Sequence, residues 1–469
     1  MKRNWFYFPF AGAVALALLV WVAKQAFKPA EKPPPAASPL PVEKRAASPT
    51  TAPPVEMHRF PGVQGPTNVS RILPPTPTDW RRYSAGGTNR LAILLTDTDS
   101  AWLGLAHGLR SIGVPFLLTT NTAQALTHRV VFAYPRLSGA VLTAPELRAL
   151  AAHPRTGGTL IAANVLGGGL ENTFGFEQAV PSQQHYEIGF PAQHPLTAGF
   201  THARERVIRV AEPRNPAAIA GKHHYTQPAV PPLAVYEDGT AAILLRPWEA
   251  GYACALGFDP GYLLLLGHNN REEGIARSYV NQFEPSLDVL LRLFKELYRA
   301  TAPAPVTLGS VPFGRQLPVL ITHDVDYARS LTNALAYAEF EASVGVRATY
   351  FVQVKYLRDF NDVAFFNDTA PPILQRLRAL GHELASHTVC HSLNFAKFLL
   401  GTGTESYPDY QPFVRTPILT LGGSVLGELR ASKFLLGKFG GQEIVTFRPG
   451  NLSNPYSLPQ ALLATGYRH

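Results

Sequence analysis

The sequence predicts an α/β protein with two folded units in series, the first of them a flavodoxin/Rossmann-like parallel sheet. Its length of 469 residues exceeds what a single domain commonly holds. From residue 90 onward, short apolar runs typical of buried strands alternate with amphipathic stretches typical of helices. Polar residues also stand directly after several apolar runs, most clearly at 322–326. These observations predict parallel sheets with a functional site at a strand end.

Residues 1–23 are predicted to form a membrane anchor. An apolar stretch at 5–22 follows Lys2 and Arg3 and approaches the roughly 17–25 residues of a membrane-spanning helix. Tryptophan and tyrosine near both of its ends are typical of a membrane interface. The expected location is a single pass through the cell inner membrane, with the soluble domains on the extracytoplasmic side. A cleaved signal peptide is the alternative and would make the protein periplasmic or secreted.

Residues 24–87 are predicted to be a disordered, proline-rich linker. Fourteen prolines lie between Pro29 and Pro77, mixed with small and polar residues. Between Lys2 and Arg82 there are eleven Lys and Arg against four Asp and Glu, so most of the net charge of +9 belongs to this part of the chain. The folded units are therefore not strongly basic, and nucleic-acid binding is not expected.

Residues 88–300 are predicted to form the first α/β domain. Strands are expected at 91–95, 116–118 and 158–162, and helices at 102–111, from Pro145 onward, and at 286–299. This alternation predicts a parallel sheet covered on both faces. Residues 301–316, which include T-A-P-A-P, are expected to be a stiff hinge. The two cysteines, Cys254 and Cys390, are too few for a disulfide framework and are expected to be buried thiols.

Three stretches of this domain, at 145–163, 194–196 and 255–260, resemble class I glutamine-amidotransferase-like domains. That resemblance implies a nucleophilic cysteine on the turn after a strand such as 159–162. The sequence has Asn164 there instead, and an amide cannot replace the thiolate. We therefore expect residues 88–300 to be non-catalytic and to bind a glycan or a protein partner.

The residues of the remaining unit, 317–469, predict a hydrolytic metal site. The stretch V-L-I-T-H-D-V-D-Y at 319–327 is typical of a buried strand that ends in two carboxylates, Asp324 and Asp326, which share a face. Two neighbouring carboxylates repel each other unless a cation relieves them. His387 and His391 are four residues apart, as in one helical turn that holds a single ion. Arg448 offers a cation that could orient the free carboxylate.

Four motifs in this order resemble the polysaccharide deacetylase (NodB-homology) family: T-H-D-V-D at 322–326, A-T-Y-F-V at 348–352, G-H-E-L-A-S-H-T-V-C-H at 381–391 and F-R-P-G at 447–450. The resemblance implies a distorted (β/α) barrel that hydrolyses N-acetyl groups of amino sugars in an envelope or exported polysaccharide. It also implies Asp326, His387 and His391 as ligands of a divalent metal ion such as Zn²⁺, Asp324 as the general base, and Arg448 as the residue that orients that base.

Two alternatives stay open at this point. The family's late strand, with a histidine that acts as general acid, has no counterpart before His469, so 317–469 is expected to be an incomplete domain. A catalytically inactive envelope protein that binds glycan or a partner and retains its metal site is therefore one alternative. Two histidines with one carboxylate also form the iron site of non-haem oxygenases. The free Asp324 favours hydrolysis, because an oxygenase needs no base at that position.

Overall fold

The computed structural model describes residues 56–74, 76–191, 193–212, 215–268, 286–309, 311–315 and 317–469. The predicted membrane anchor and residues 24–55 lie outside this range. Within the described part of the chain, no helix is both long enough and apolar enough to cross a membrane.

The first unit is an eleven-stranded mixed sheet with helices on its faces. Its strands are β1 (Leu91–Leu95), β2 (Phe116–Thr119), β3 (Val130–Tyr134), β4 (Thr159–Ala163), β5 (Ala179–Pro181), β6 (Glu187–Gly189), β7 (Val207–Arg209), β10 (His223–Tyr225), β11 (Ala234–Tyr236), β12 (Ala241–Trp248) and β13 (Gly251–Leu256), with β8 (Ala211–Glu212) and β9 (Asn215–Ile219) pairing separately. Its helices are α1 (Trp102–Ser111), α2 (Thr122–Ala125), α3 (Ala144–Ala152), α4 (Glu171–Phe174), α5 (Pro260–His268) and α6 (Ser286–Thr301).

The parallel sheet predicted from the sequence is present in one half of this sheet. The strand order is β2-β1-β3-β4-β13-β12-β11-β6-β7, and neighbours are parallel from β2 as far as β13. From β13 to β7 the pairs are antiparallel, which the sequence did not predict. No helix of the described chain separates β12 from β13, and a short connection of this kind joins antiparallel strands.

Alternate residues of the central strands pack on opposite sides of the sheet. Leu91, Ile93 and Leu95 belong to the apolar core on one face, whereas Ala92 and Leu94 belong to the core on the other. All five are buried, as expected for a parallel strand covered on both sides. Helix α3 begins at the predicted place because Thr143 and Glu146 form a reciprocal capping box.

The second unit contains a three-stranded parallel sheet with the order β14-β15-β16. Its elements are β14 (Ile321–Val325), α7 (Ala328–Ser343), β15 (Ala348–Val352), α8 (Ala370–Ala379), β16 (Glu383–Ser386), the hairpin β17 (Phe413–Thr416) and β18 (Leu419–Leu421), α9 (Val425–Gly440) and α10 (Leu458–Ala464). The chain after α9 continues the sheet through one bridge, in which Ser386 pairs with Phe447. This arrangement brings the carboxyl ends of β14 and β16 and the start of the 447–450 segment to one edge.

The apolar run before the aspartates is not a buried strand, so that prediction was wrong. Val319 and Leu320 are 72% and 88% exposed, and in β14 only Val325 is buried. The cause is position in the sheet. In the described chain β14 pairs with β15 alone, so it is an edge strand, and the packed apolar core reaches it only at Val325.

The prediction of a disordered linker is wrong for residues 56–74, which we call the N-terminal strap. Met57 pairs with Leu357, and the amide of Phe60 donates to the hydroxyl of Tyr407, so the strap adds backbone partners to the second unit. Phe60 itself is buried in the core of that unit. Proline content indicated an unpaired chain, but the strap finds its hydrogen-bond partners far away in sequence. The short 3-10 turn Trp80–Tyr83 is ordered as well and packs against the first unit.

Both cysteines are free and buried, as the sequence predicted. Burial raises the pKa of the Cys254 thiol to about 12, so it stays protonated at neutral pH. Burial also raises the pKa of the Cys390 thiol, and the nearby Glu428 carboxyl adds to that effect. Neither thiol is therefore set up as a nucleophile or a metal ligand.

Candidate metal centre

The two predicted aspartates lie at the carboxyl end of the edge strand β14. Asp324 is in the strand, where its register partner is Phe351 of β15, and Asp326 is the first residue beyond the strand. Because β14, β15 and β16 are parallel, the segments that follow them meet at the same edge. This places the aspartates beside the segment that follows β16, which carries the two histidines.

The two histidines lie in a loop and not in a helical turn, so that part of the prediction was wrong. His387 follows directly on β16, and the next residues form a tight bend in which Thr388 and His391 adopt positive φ angles of 71° and 48°. Left-handed backbone is unfavourable for residues with a side chain. The bend persists because its polar groups are bonded from within, for example by the His391 amide, which donates to the Thr388 hydroxyl at 3.1 Å.

Asp326, His387 and His391 converge on one point. One carboxylate oxygen of Asp326, Oδ1, is 3.2 Å from Nε2 of His387 and 3.6 Å from Nε2 of His391. Within the described residues, these three are the group whose ligand atoms lie close enough to hold one metal ion, all within 4.8 Å of one another. The structure thus brings together the three residues that were predicted from the sequence to be metal ligands.

The hydrogen-bonding roles of these atoms leave room for a cation. Nδ1 of His387 lies 2.8 Å from the carbonyl oxygen of Arg448, and since a carbonyl only accepts, Nδ1 must carry the proton. In a neutral ring Nε2 is then an acceptor, and it faces Oδ1 of Asp326, another acceptor. That oxygen is buried and has no hydrogen-bond donor. Acceptors that face each other at this distance are stabilised by a cation between them.

The electrostatic environment favours the protonation states that a metal requires. Burial alone would raise the pKa of the Asp326 carboxyl, but His387, His391 and Arg448 together lower it below its ordinary value. Burial, together with the neighbouring His387, lowers the pKa of the His391 ring. At neutral pH the aspartate is therefore ionised and the His391 ring is neutral, which are the forms that bind metal ions.

Asp324 is not part of the three-residue ligand group and is instead bonded to Arg448. Nη1 of Arg448 donates to Oδ1 of Asp324 at 2.7 Å, and Nη2 donates to the hydroxyl of Thr322 at 3.2 Å. The guanidinium group also lies over the Phe351 ring, 3.9 Å from its centroid. The other carboxylate oxygen of Asp324 is 3.9 Å from Nε2 of His387. Asp324 therefore borders the candidate metal position with one oxygen engaged by Arg448.

The other histidines of these motifs lie away from the centre. His323 bonds Glu341 of α7 through Nε2 at 2.6 Å. His382 accepts from the amide of Ala348 and donates to the carbonyl of Ala338. Both rings therefore connect the sheet to helix α7, which is a structural role.

Sequence reasoning missed the residues that brace the histidine loop. Glu428 of α9 is fully buried, and its Oε2 accepts from the amides of Val389 and Cys390 at 2.6 and 3.1 Å, between the two histidines. On the other side of the loop, Nδ2 of Asn361 donates to the carbonyls of Cys390 and His391. Glu428 lies 37 residues from the second histidine, so no local motif reveals the contact. The available signal was an acidic residue among the apolar positions of a helix.

The His391 ring is positioned by the segment after Arg448. An ideal Cβ atom on Gly450 would come within 2.8 Å of the ring, so a residue without a side chain is required there. The side-chain amide of Asn451 lies 3.4 Å from Nδ1 of His391, where its oxygen can accept a proton from that nitrogen once the amide is turned. The 447–450 motif therefore contacts both parts of the centre, through Arg448 at Asp324 and through Gly450 at His391.

We predict that Glu428→Gln weakens metal binding by about 10- to 100-fold, the usual effect of disturbing residues that orient metal ligands. Glutamine keeps the shape, but its neutral carbonyl oxygen accepts more weakly from the two loop amides than a carboxylate oxygen does, and an N–H donor replaces the oxygen that accepts from the Tyr410 hydroxyl. Metal affinity measured by chelator competition on the folded variant tests this. The matched control is Glu443→Gln, whose carboxylate is exposed and paired with Arg468. Equal affinities in the two variants would show that the loop keeps its shape without Glu428.

No family model matches the sequence, and no curated protein matches it at a significant level. Solved structures do match. They include a family 4 acetyl xylan esterase from Clostridium thermocellum in complex with a cobalt ion, at 20% identity and a TM-score of 0.21, covering 30% of this chain and 51% of that chain. A family 4 carbohydrate esterase from Streptomyces lividans in complex with acetate matches at 19% identity and a TM-score of 0.22, covering 32% and 59%. The peptidoglycan deacetylase PdaC from Bacillus subtilis matches at 16% identity and a TM-score of 0.20, covering 30% and 54%.

The chain therefore spans between half and three fifths of the length of these three structures. Carbohydrate esterases and polysaccharide deacetylases are the class of protein that the four motifs of the second unit resemble.

Proposed function

We propose that this protein is a metal-dependent polysaccharide N-deacetylase that hydrolyses N-acetyl groups of amino sugars. The observation that carries the proposal is the pair of buried acceptors, Oδ1 of Asp326 and Nε2 of His387, which face each other at 3.2 Å with no donor between them. A second carboxylate, Asp324, stands beside them and is oriented by Arg448. A cation site bordered by an oriented base is an arrangement suited to the hydrolysis of an amide by an activated water.

Asp326, His387 and His391 are the residues that would hold the metal ion. The donor set of one carboxylate and two imidazoles suits Zn²⁺ and other divalent transition metals. A bound ion of this kind supplies Lewis-acid polarisation of the amide carbonyl and of a water molecule. Three protein ligands leave positions open for both.

The protein's own part in the reaction falls mainly to Asp324. Its carboxylate accepts a proton from the water that attacks the carbonyl carbon, through the oxygen that Arg448 does not occupy. Arg448 fixes the orientation of the carboxylate by donating to its other oxygen. The carbon–nitrogen bond then breaks, the leaving nitrogen takes up a proton and acetate is released. The proton held by Asp324 is available for that transfer.

The substrate we propose is an envelope or exported polysaccharide, and the protein would reach it from a membrane tether at residues 1–23. Support for this location comes from the sequence, in which an apolar stretch with flanking basic and aromatic residues precedes the folded units.

The test uses the full chain purified with its natural metal, alongside Asp326→Ala. We expect about one divalent ion per chain by elemental analysis, and acetate release from N-acetylated glucosamine oligomers. The variant should lose both, because it removes the ligand oxygen that faces both histidines. Absence of metal from the unmodified protein would contradict the proposed site. Bound metal without acetate release from any acetylated glycan would contradict the activity and favour a binding role.

A further inference from the structure

A polar crevice in the first unit lies at the place where parallel α/β sheets commonly bind ligands. Strand β2 lies on one side of β1, and β3 lies on the other side. The order in which successive strands are added to the sheet therefore reverses between β1 and β3. Crevices at the carboxyl ends of strands beside such a reversal are the usual ligand sites of this fold class. A cavity of about 560 Å³ lies here, lined among others by Asp97 after β1 and Arg136 after β3. This volume is within the usual range for small-molecule sites.

The crevice contains two cations, Arg136 and Lys222, that form no direct ion pair with the described residues. Neither side chain lies within 4 Å of a carboxylate among the residues that the structure describes; the Lys222 ammonium group is 5.7 Å from the centroid of the Tyr262 ring. The carboxylate of Asp259 is engaged elsewhere, since its Oδ1 accepts from the hydroxyl of Tyr134 at 2.6 Å and from the amide of Tyr262 at 2.9 Å. Asp97 and Asp259 line the same cavity, so its formal charge is balanced, but the two cations remain free to make direct contacts with a bound anion.

The floor of the crevice is a strained asparagine. Asn164 follows β4 directly and has a φ of 47°, although it is only 7% exposed. Its Nδ2 donates to the carbonyl of Pro135 at 3.0 Å, and its Oδ1 lies 3.2 Å from Nδ1 of His223. A left-handed asparagine held by two such contacts is a fixed polar group, and strain of this kind is concentrated at functional sites. An amide is no nucleophile, so the arrangement serves binding and not covalent catalysis.

We propose that this crevice binds a sugar carboxylate, a uronate-type monosaccharide that presents one carboxylate and several hydroxyl groups. Arg136 and Lys222 recognise the carboxylate through charge-assisted hydrogen bonds. Asp97, whose side chain is half-buried at the rim, accepts from sugar hydroxyls, and Asn164 and His223 add fixed polar contacts. The mixture of cations with acidic and amide groups suits a ligand that is anionic at one end and a hydroxyl donor elsewhere.

Titration calorimetry on the full chain with D-glucuronate, D-glucose and D-glucosamine tests the proposal. We expect D-glucuronate to bind, and Arg136→Ala and Lys222→Ala each to weaken its binding by about tenfold or more. The matched control is Arg148→Ala, which removes an exposed arginine of the same unit that does not line the crevice. Circular dichroism verifies that all three variants are folded.

Several outcomes would overturn the proposal. If glucose binds as tightly as glucuronate, the cations do not select the ligand. If none of the three sugars binds, the crevice is not a sugar-binding site. Equal loss of affinity in the Arg148 control would mean that the effect is non-specific. The proposal goes beyond the deacetylase function, so Asp326→Ala should leave glucuronate binding unchanged. A loss of sugar binding in that variant would place the ligand at the metal centre instead.

Discussion

Asp324→Asn is expected to lower the rate of acetate release by about 10²- to 10⁴-fold, the usual contribution of a general base. Asparagine has nearly the same shape as aspartate but cannot take up the proton of the attacking water. Arg448 would at the same time lose the charged partner that it contacts at 2.7 Å. The rate constant for acetate release from N-acetylated glucosamine oligomers measures this effect.

Metal content separates this effect from damage to the centre. The three atoms that would hold the ion belong to Asp326, His387 and His391, and none of them is altered in Asp324→Asn. We therefore expect the variant to retain its metal while it loses activity. Asp99→Asn is the matched control, because Asp99 is an exposed aspartate of the first unit and should have no effect. Full activity in Asp324→Asn would exclude Asp324 as the base, and loss of the metal would make it a ligand.

The candidate centre could be predicted from the sequence because its parts follow strands of one sheet. Asp324 and Asp326 end β14, His387 follows β16, and Arg448 follows the segment that bridges β16. Parallel strands bring their carboxyl ends together, so motifs that are far apart in sequence meet in space. The histidine spacing was informative about proximity but not about conformation, since a four-residue interval brings two rings together in a helix and in a tight loop alike.

What the sequence could not predict depends on contacts between distant residues. Helix α1 begins and ends where the sequence indicated, because its signals are local. The antiparallel half of the first sheet contains several strands of only three residues, too short for a clear alternation of apolar and polar side chains. The contact that braces the histidine loop is also long-range, because Glu428 of helix α9 accepts from the amide of Val389 in that loop.

The N-terminal strap is also held by contacts with residues far away in sequence, which the sequence could not predict. Its contacts lead to the prediction with the largest effect on stability. The guanidinium group of Arg430, only 5% exposed, donates to the Ser70 hydroxyl and to the carbonyls of Asn68 and Pro66. At the other end of the strap the Phe60 ring lies 4.4 Å from the Phe439 ring and 6.0 Å from that of Phe366, measured between centroids. Residues that precede the first unit in sequence thus complete the core of the second.

We expect Phe60→Ala to lower the free energy of unfolding of the second unit by about 3–5 kcal/mol, the usual cost of removing a buried aromatic ring. The ring is 7% exposed, so its removal leaves a cavity against the helix that carries Glu428. Urea unfolding followed by tryptophan-independent probes, such as far-ultraviolet circular dichroism, measures the change. Leu73→Ala is the matched control, since Leu73 belongs to the same strap but is 76% exposed and should change stability by less than about 0.5 kcal/mol. Equal stability of the two variants would mean that the strap rests on the second unit without supporting it, whereas the predicted difference would make residues 56–74 part of the fold that carries the metal centre.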